Sequence, residues 1–141
     1  MVNQQKLDGL LRNLESALVQ LREIAKLDRN ALLSNGAVLG GAKYYLQIAI
    51  ESCINIGNHI ISSENYRSPK DYRDIFTILS EQGILPENFS TTLRQMTGLR
   101  NRLVHLYWEV DEELIYRYLQ NNLGDFDTFV HYILDFSTKK S

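Results

Sequence analysis

Four side chains that lie close together in the sequence have the chemistry to handle a phosphate group. They are Arg100, Asn101, His105 and Tyr107, in the run Arg-Asn-Arg-Leu-Val-His-Leu-Tyr. Arginine carries a permanent positive charge on a planar fork that suits phosphate, and histidine is the side chain whose ordinary pKa lies nearest neutrality. A fixed cation and a proton-transfer group can together support RNA cleavage without a metal ion.

On one helix, these four residues do not all face the same way. At about 100° per residue, Asn101 and His105 share a face, so we expect the Asn101 amide to orient the imidazole. Arg100 and Tyr107 also share a face. Arg100 and His105, however, are separated by roughly 140°, so one helix presents them poorly to a single phosphate. Either the helix ends near His105, or a second copy of the chain completes the site.

The Arg-x4-His-x-Tyr spacing, with Asn101 directly after the arginine, resembles the signature of the HEPN-domain ribonucleases, and Tyr107 narrows the resemblance to HepT-type toxins. The resemblance covers the chain from about residue 6 to residue 136. It implies a cytoplasmic bacterial or archaeal endoribonuclease, a two-fold homodimer with a shared cleft, and catalysis by Arg100 and His105 with support from Asn101. The expected products are a 2',3'-cyclic phosphate and a 5'-hydroxyl, and transfer RNA is one candidate substrate.

Tyr107 has two interpretations. In the structural interpretation, it is an ordinary amphipathic tyrosine, one of eight in the chain, with its ring in the bundle and its hydroxyl in water. The HepT resemblance implies instead that a cognate minimal nucleotidyltransferase antitoxin, using ATP and Mg²⁺, attaches AMP to this residue. The added phosphate is then expected to pair with Arg100 and to exclude RNA by occupancy and charge.

The charge beside the motif is locally positive. Arg94, Arg100 and Arg102 precede an acidic cluster that begins at Glu109. Arg102 and Arg94 are therefore possible RNA contacts, although an ordinary solvated helix face is the simpler interpretation of Arg94. Trp108 has the chemistry to stack on a base, and a place in the core or in a dimer interface is an equal alternative.

Composition limits the classes of protein to which the chain can belong. Its 141 residues, 44% of them hydrophobic, predict a single domain over 1–141. A net charge of -2 argues against bulk electrostatic binding of nucleic acid. Cys53 is the only cysteine and is predicted to be a packing residue in a reducing compartment. We expect no membrane segment and, because no ligand spacing is present, no bound metal.

Apolar residues that recur every three or four positions predict an all-α, antiparallel bundle of four main helices and one short helix. Gly57, inside the second main helix, suggests a close helix crossing. The predicted segments are a helix over 6–26, a connection over 28–41 in which residues 31–33 can form a turn, a helix over 44–63, a short helix capped by Ser68 and ended by Gly83, a helix from 87 to about 105, a last helix capped by Asp111 with a bend at Gly124, and a frayed tail over 137–141.

Two functions from other classes stay open at this point. One is a non-catalytic HEPN module that binds nucleotides or RNA, and the other is a purely structural helical interaction subunit. For the structural subunit, we expect His105 to be buried and Arg100 to be paired with an acidic residue.

Overall fold

The computed structural model describes residues 1–140, and over that range it contains helices and no strand. This confirms the predicted all-α fold. Four helices are long, as the sequence predicts, and three are shorter. The helices are α1 (Gln4–Ala25), α2 (Arg29–Leu33), α3 (Gly36–Ser63), α4 (Tyr72–Glu81), α5 (Glu87–His105), α6 (Glu112–Asn121) and α7 (Gly124–Lys140), with a single 3₁₀ turn at Tyr107–Glu109.

Helix α3 is the centre of the bundle, because it contacts each of the other six α-helices. Leu46, Ile50, Ile56 and Ile60 on this helix are fully buried. A helix that is apolar on most of its circumference has to be covered on most sides. At Gly57, an added Cβ atom would lie 2.6 Å from the Ile75 side chain. The expected close crossing is therefore confirmed, and its partner is α4.

The predicted connection over residues 28–41 is wrong. Asp28 caps α2, and the Asn35 carboxamide oxygen accepts a hydrogen bond of 3.2 Å from the Val38 amide, so α3 begins at Gly36. Gly40 and Gly41 consequently lie inside α3. Glycine is a poor helix former, but the cap and the packing of α3 against its neighbours outweigh that preference here.

The second half of the chain contains three further differences. Helix α4 is capped by Asp71 instead of Ser68, although Gly83, with a φ of 73°, follows its end as predicted. Asp111 caps α6 as predicted, but the last helix is divided, and α7 begins at Gly124. The frayed tail is also wrong up to residue 140, because Ser137 is buried and its hydroxyl donates to the Gln4 side chain at 2.8 Å; residue 141 lies outside the described range.

Cys53 is buried, and burial raises the pKa of its thiol, as expected of a packing residue. No described helix combines the length and the apolar character that crossing a bilayer requires.

Candidate active site

Helix α5 carries Arg100, Asn101 and His105 in its last two turns. Leu99 and Leu103 anchor this part of the helix in the core. The helix ends at His105, where the Leu106 amide still donates to the Arg102 carbonyl at 2.8 Å but Leu106 itself leaves the helical conformation with φ -133° and ψ 42°. The chain therefore turns immediately after the histidine, and Tyr107 belongs to a separate 3₁₀ turn.

Arg100 is fixed by three neighbours. Its Nη2 and Nε atoms donate to the same Glu51 carboxylate oxygen, at 2.8 and 3.2 Å, and its guanidinium carbon lies 5.1 Å from the centre of the Tyr72 ring. Its Nη1 atom donates to the Asn101 carboxamide oxygen at 3.2 Å. The Arg100 side chain is only 15% exposed. An ion pair, a ring contact and an amide together hold the guanidinium plane in one orientation.

The Asn101 side chain is hydrogen-bonded to Arg100 and not, as predicted, to His105. Its carboxamide accepts from Arg100, and no hydrogen bond joins it to His105 within residues 1–140. The helical spacing allowed the Asn101–His105 contact, but the adjacent guanidinium is the stronger donor. In this structure, Asn101 thus supports the arginine and leaves the imidazole unrestrained.

Glu51 is a site residue that the sequence analysis did not identify. It is half-buried on α3, where the Gln47 amide also donates to it at 3.3 Å. Lys43, Gln47 and Glu51 follow one another at four-residue intervals, so they form a polar stripe on the most buried helix. Such a stripe within an apolar helix is the sequence signal that points to a site.

An open groove of about 610 Å³ lies beside Arg100. Its walls include Tyr44, Glu51 and Tyr72, and polar side chains of α1 such as Asn13. A smaller depression of about 320 Å³ is lined by Asn101 and also by Tyr72. The larger volume falls within the range of about 300–1,000 Å³ that small-molecule sites occupy.

His105 and Arg102 are both exposed. Within the described chain, no side-chain hydrogen bond holds the His105 imidazole and no carboxylate pairs with Arg102. A purely structural subunit would have a buried His105, and the exposure of this residue contradicts that alternative. The same alternative expects Arg100 to be paired with an acidic residue, and the Glu51–Arg100 pair agrees with it. The two residues therefore differ: Arg100 is held in place by its partners, whereas the His105 imidazole is accessible to solvent.

Tyr107 packs against α3. Its side chain is 42% exposed, its hydroxyl lies 3.4 Å from the position of a Cβ atom added to Gly40, and the Lys43 ammonium lies 4.6 Å from the ring centre. Trp108 is 77% exposed, so its alternative place in the core is wrong. Base stacking and a dimer interface remain predictions for this residue.

Arg94 is engaged within the protein. Its guanidinium donates to the Glu87 carboxylate, and also to the hydroxyls of Ser90, Thr91 and Thr77. These contacts fix the start of α5 against α4. Arg94 therefore has a structural role, and its guanidinium is occupied by contacts within the chain. Among the described residues, no group of His, Cys, Asp and Glu side chains is arranged to hold a metal ion.

A family model described as "Ribonuclease HepT-like" matches residues 14–133. The mRNA nuclease HepT of Shewanella oneidensis is 36% identical over 88 residues, which are 62% of this chain and 66% of that protein. The tRNA nuclease HepT of Aphanizomenon flos-aquae is 30% identical over 90 residues, which are 62% of this chain and 60% of that protein. The chain therefore spans less than two thirds of the length of either relative.

Solved structures of similar proteins confirm the HEPN-type fold. The tri-AMPylated HEPN toxin of Shewanella oneidensis, solved with its MNT antitoxin, superposes with a TM-score of 0.85 at 25% identity, over 92% of this chain and 96% of that one. YutE of Bacillus subtilis, a cytosolic protein of unknown function, superposes with a TM-score of 0.84 at 20% identity, over 99% of this chain and 93% of that one. The likeness to YutE extends to the fold alone.

The Glu51–Arg100 pair can be tested by a double-mutant cycle with Glu51→Gln and Arg100→Met. Because the two side chains keep 28% and 15% of their exposure, we expect a coupling free energy of about 1 kcal/mol by urea unfolding. The exposed Asp135–Lys139 pair is the control and should give about 0.4 kcal/mol. A coupling of about 3 kcal/mol or more would instead identify a buried structural pair and support the structural-subunit alternative.

Proposed function

Because the chain belongs to the HepT-like ribonuclease family, we propose that it is an endoribonuclease toxin that is silenced when AMP is transferred to Tyr107. The observation that carries the proposal is the arrangement of the family's motif, with Arg100 fixed beside a groove and His105 exposed at the end of the same helix. The two HepT relatives are named for different RNA substrates, mRNA and tRNA. Transfer RNA accordingly remains one of two candidate substrates.

The proposed reaction uses the nucleophile that RNA itself carries. The 2'-oxygen bonds to phosphorus, and the bond from phosphorus to the 5'-oxygen breaks, which leaves a 2',3'-cyclic phosphate and a 5'-hydroxyl. One proton leaves the 2'-hydroxyl, and one reaches the departing 5'-oxygen. His105 carries out proton transfer, which typically increases the reaction rate by about 10²- to 10⁴-fold. Arg100 stabilises the charge that develops on the phosphate oxygens, and this set of residues needs no metal ion.

The groove beside Arg100 supports RNA as the substrate. Tyr44 and Tyr72 are 56% and 44% exposed, and both line this groove. Exposed aromatic rings next to a cation are suited to stacking the bases of single-stranded RNA while the cation contacts the backbone. Exposed Arg102 adds a second positive charge on α5. A chain with a net charge of -2 needs such a local positive charge in order to bind RNA.

The cleft belongs, in this proposal, to two copies of the chain. Arg100 and His105 both lie in α5, roughly 140° apart around its axis. Arg100 is turned towards α3, whereas His105 is in solvent. Leu106 and Trp108 leave apolar surface next to the motif, at 41% and 77% exposure, and a two-fold partner would cover it. Two copies also bring two imidazoles, one to accept a proton and one to donate it.

Control by modification is the second part of the proposal. The similar toxin from Shewanella oneidensis is tri-AMPylated and bound to an MNT antitoxin. In this chain the acceptor is the Tyr107 hydroxyl. Its oxygen bonds to the α-phosphorus of ATP, pyrophosphate leaves, and the phenolic proton passes to the nucleotidyltransferase partner or to water. That partner supplies the Mg²⁺, and the bound nucleotide then places negative charge beside the cleft.

We expect Arg100→Ala and His105→Ala each to reduce RNA cleavage at least about 100-fold, because both residues act on the transition state. Arg117→Ala and His131→Ala remove the same side chains from exposed positions on α6 and α7, and should cleave at the wild-type rate. Circular dichroism should show equal helical content in all four variants. Wild-type turnover by His105→Ala would refute the assignment, and RNA binding without turnover by the wild type would favour the binding-module alternative.

Tyr107→Phe keeps the ring and removes only the acceptor oxygen. We expect this variant to remain toxic, and to gain no adenylyl mass when it is incubated with the antitoxin, ATP and Mg²⁺. Tyr116→Phe, on α6, should be modified and silenced like the wild type. Intact-mass spectrometry of both variants checks the assignment. Adenylyl mass on Tyr107→Phe, or loss of wild-type activity without added mass, would show that Tyr107 is not the switch.

A further inference from the structure

The hydroxyl of Tyr107 lies against α3 and not beside Arg100 of the same copy. A Cβ atom added to Gly40 would approach the hydroxyl oxygen to 3.4 Å, whereas Arg100 is bound to Glu51. Gly40 and Glu51 are eleven residues apart on α3, which is about 16 Å along the helix axis. The expectation that a phosphate on Tyr107 pairs with Arg100 is therefore not met by the geometry of one protomer.

Lys43 is the cation next to Tyr107. The lysine is only 7% exposed, and its ammonium lies 4.6 Å from the centre of the tyrosine ring. Within residues 1–140, no carboxylate forms an ion pair with it, in contrast to Arg100, which Glu51 neutralises. Lysine is rarely this buried unless it is paired. The ring contact stabilises the ammonium but leaves its charge uncompensated.

Gly40 provides the space that the tyrosine oxygen faces. The Tyr107 hydroxyl is the nearest group to the missing Cβ, and it lies at ordinary van der Waals distance. A methyl group at this position would touch the unmodified hydroxyl without displacing it. The same methyl group would crowd any atom bonded to that oxygen on the side facing α3.

We propose that Gly40 and Lys43 form a seat for the phosphate of the adenylyl group on Tyr107, which rests on the proposed modification of that residue. Gly40 makes room for the phosphate oxygens, and the Lys43 ammonium donates a hydrogen bond to one of them. The phosphate supplies the negative charge that Lys43 lacks. Because the same charge develops while the phenolic oxygen bonds to the α-phosphorus and pyrophosphate departs, the seat also speeds the transfer.

The proposal is tested by the rate of AMP incorporation into the full chain, measured by intact mass with the cognate nucleotidyltransferase, ATP and Mg²⁺. Lys43→Met keeps the length of the side chain and removes its charge. We expect kcat for modification to fall about 10- to 100-fold, as for the loss of a hydrogen bond to a charged group, with little change in KM for the toxin. Lys43→Arg should recover most of the rate.

Gly40→Ala tests the space independently of the charge, and Gly41→Ala is its matched control. Nothing lies within 4 Å of a Cβ atom at Gly41, and the two glycines are neighbours in the same helix, so both substitutions change helix propensity alike. We expect Gly40→Ala to be modified at least about fivefold more slowly than Gly41→Ala, while Gly41→Ala matches the wild type.

The outcomes separate this proposal from the proposed function. If the wild type gains no AMP on Tyr107, both are overturned. If the wild type is modified there, and Lys43→Met and Gly40→Ala are modified at wild-type rates, only the seat is overturned. A change in KM alone for Lys43→Met also overturns the seat, because it would make Lys43 a docking contact for the partner.

Discussion

The arrangement of the site depends on the burial of α3. This helix contacts all the other α-helices of the described chain, so its rotation and its position along the axis are set by packing on most of its sides. Both ends of the candidate site are attached to it: Arg100 is bound by Glu51, and Tyr107 packs on Gly40 and Lys43. The packing of α3 therefore sets the positions of Arg100 and Tyr107 relative to each other.

The distribution of charge bears on the proposal that an acidic chain binds an anionic substrate. Of the cations near the motif, Arg94 is engaged with Glu87 and Arg100 with Glu51, whereas Arg102 and Lys43 have no carboxylate partner within residues 1–140. The two paired arginines are rigid, and the two unpaired cations provide net local charge. In the proposed function, a phosphate in the groove contacts a guanidinium that is already oriented, and such orientation reduces the entropy lost on binding.

Much of the fold follows from the sequence because its signals are local. The period of apolar residues predicted the four long helices, and the cap at Asp111 and the end of α5 at His105 were located correctly. The prediction failed where tertiary packing overrides local preference. Gly40 and Gly41 suggested a loop, yet they lie in α3, where Gly40 makes room for Tyr107. Asp71 instead of Ser68 caps α4, and the choice between two capable caps depends on how the preceding segment packs.

The site was predicted only in part, for a similar reason. The motif identified the residues on α5, but Glu51 and Lys43 are distant in sequence and contact the motif only after α3 and α5 have packed together. Helical spacing predicted that Asn101 orients His105, but the Asn101 carboxamide oxygen accepts a hydrogen bond from the adjacent Arg100 guanidinium instead. Sequence spacing describes which side chains can meet on one helix, whereas the partners on another helix depend on the fold.

The proposed cleft uses residues from two copies of the chain. This arrangement is tested most directly by a heterodimer of wild type with the Arg100→Ala/His105→Ala double variant, isolated with two different affinity tags. If each site needs residues from both copies, no intact site remains, and we expect RNA cleavage far below half that of the wild-type homodimer. Cleavage at half the wild-type rate would mean that each copy carries a complete site of its own, which would contradict the account.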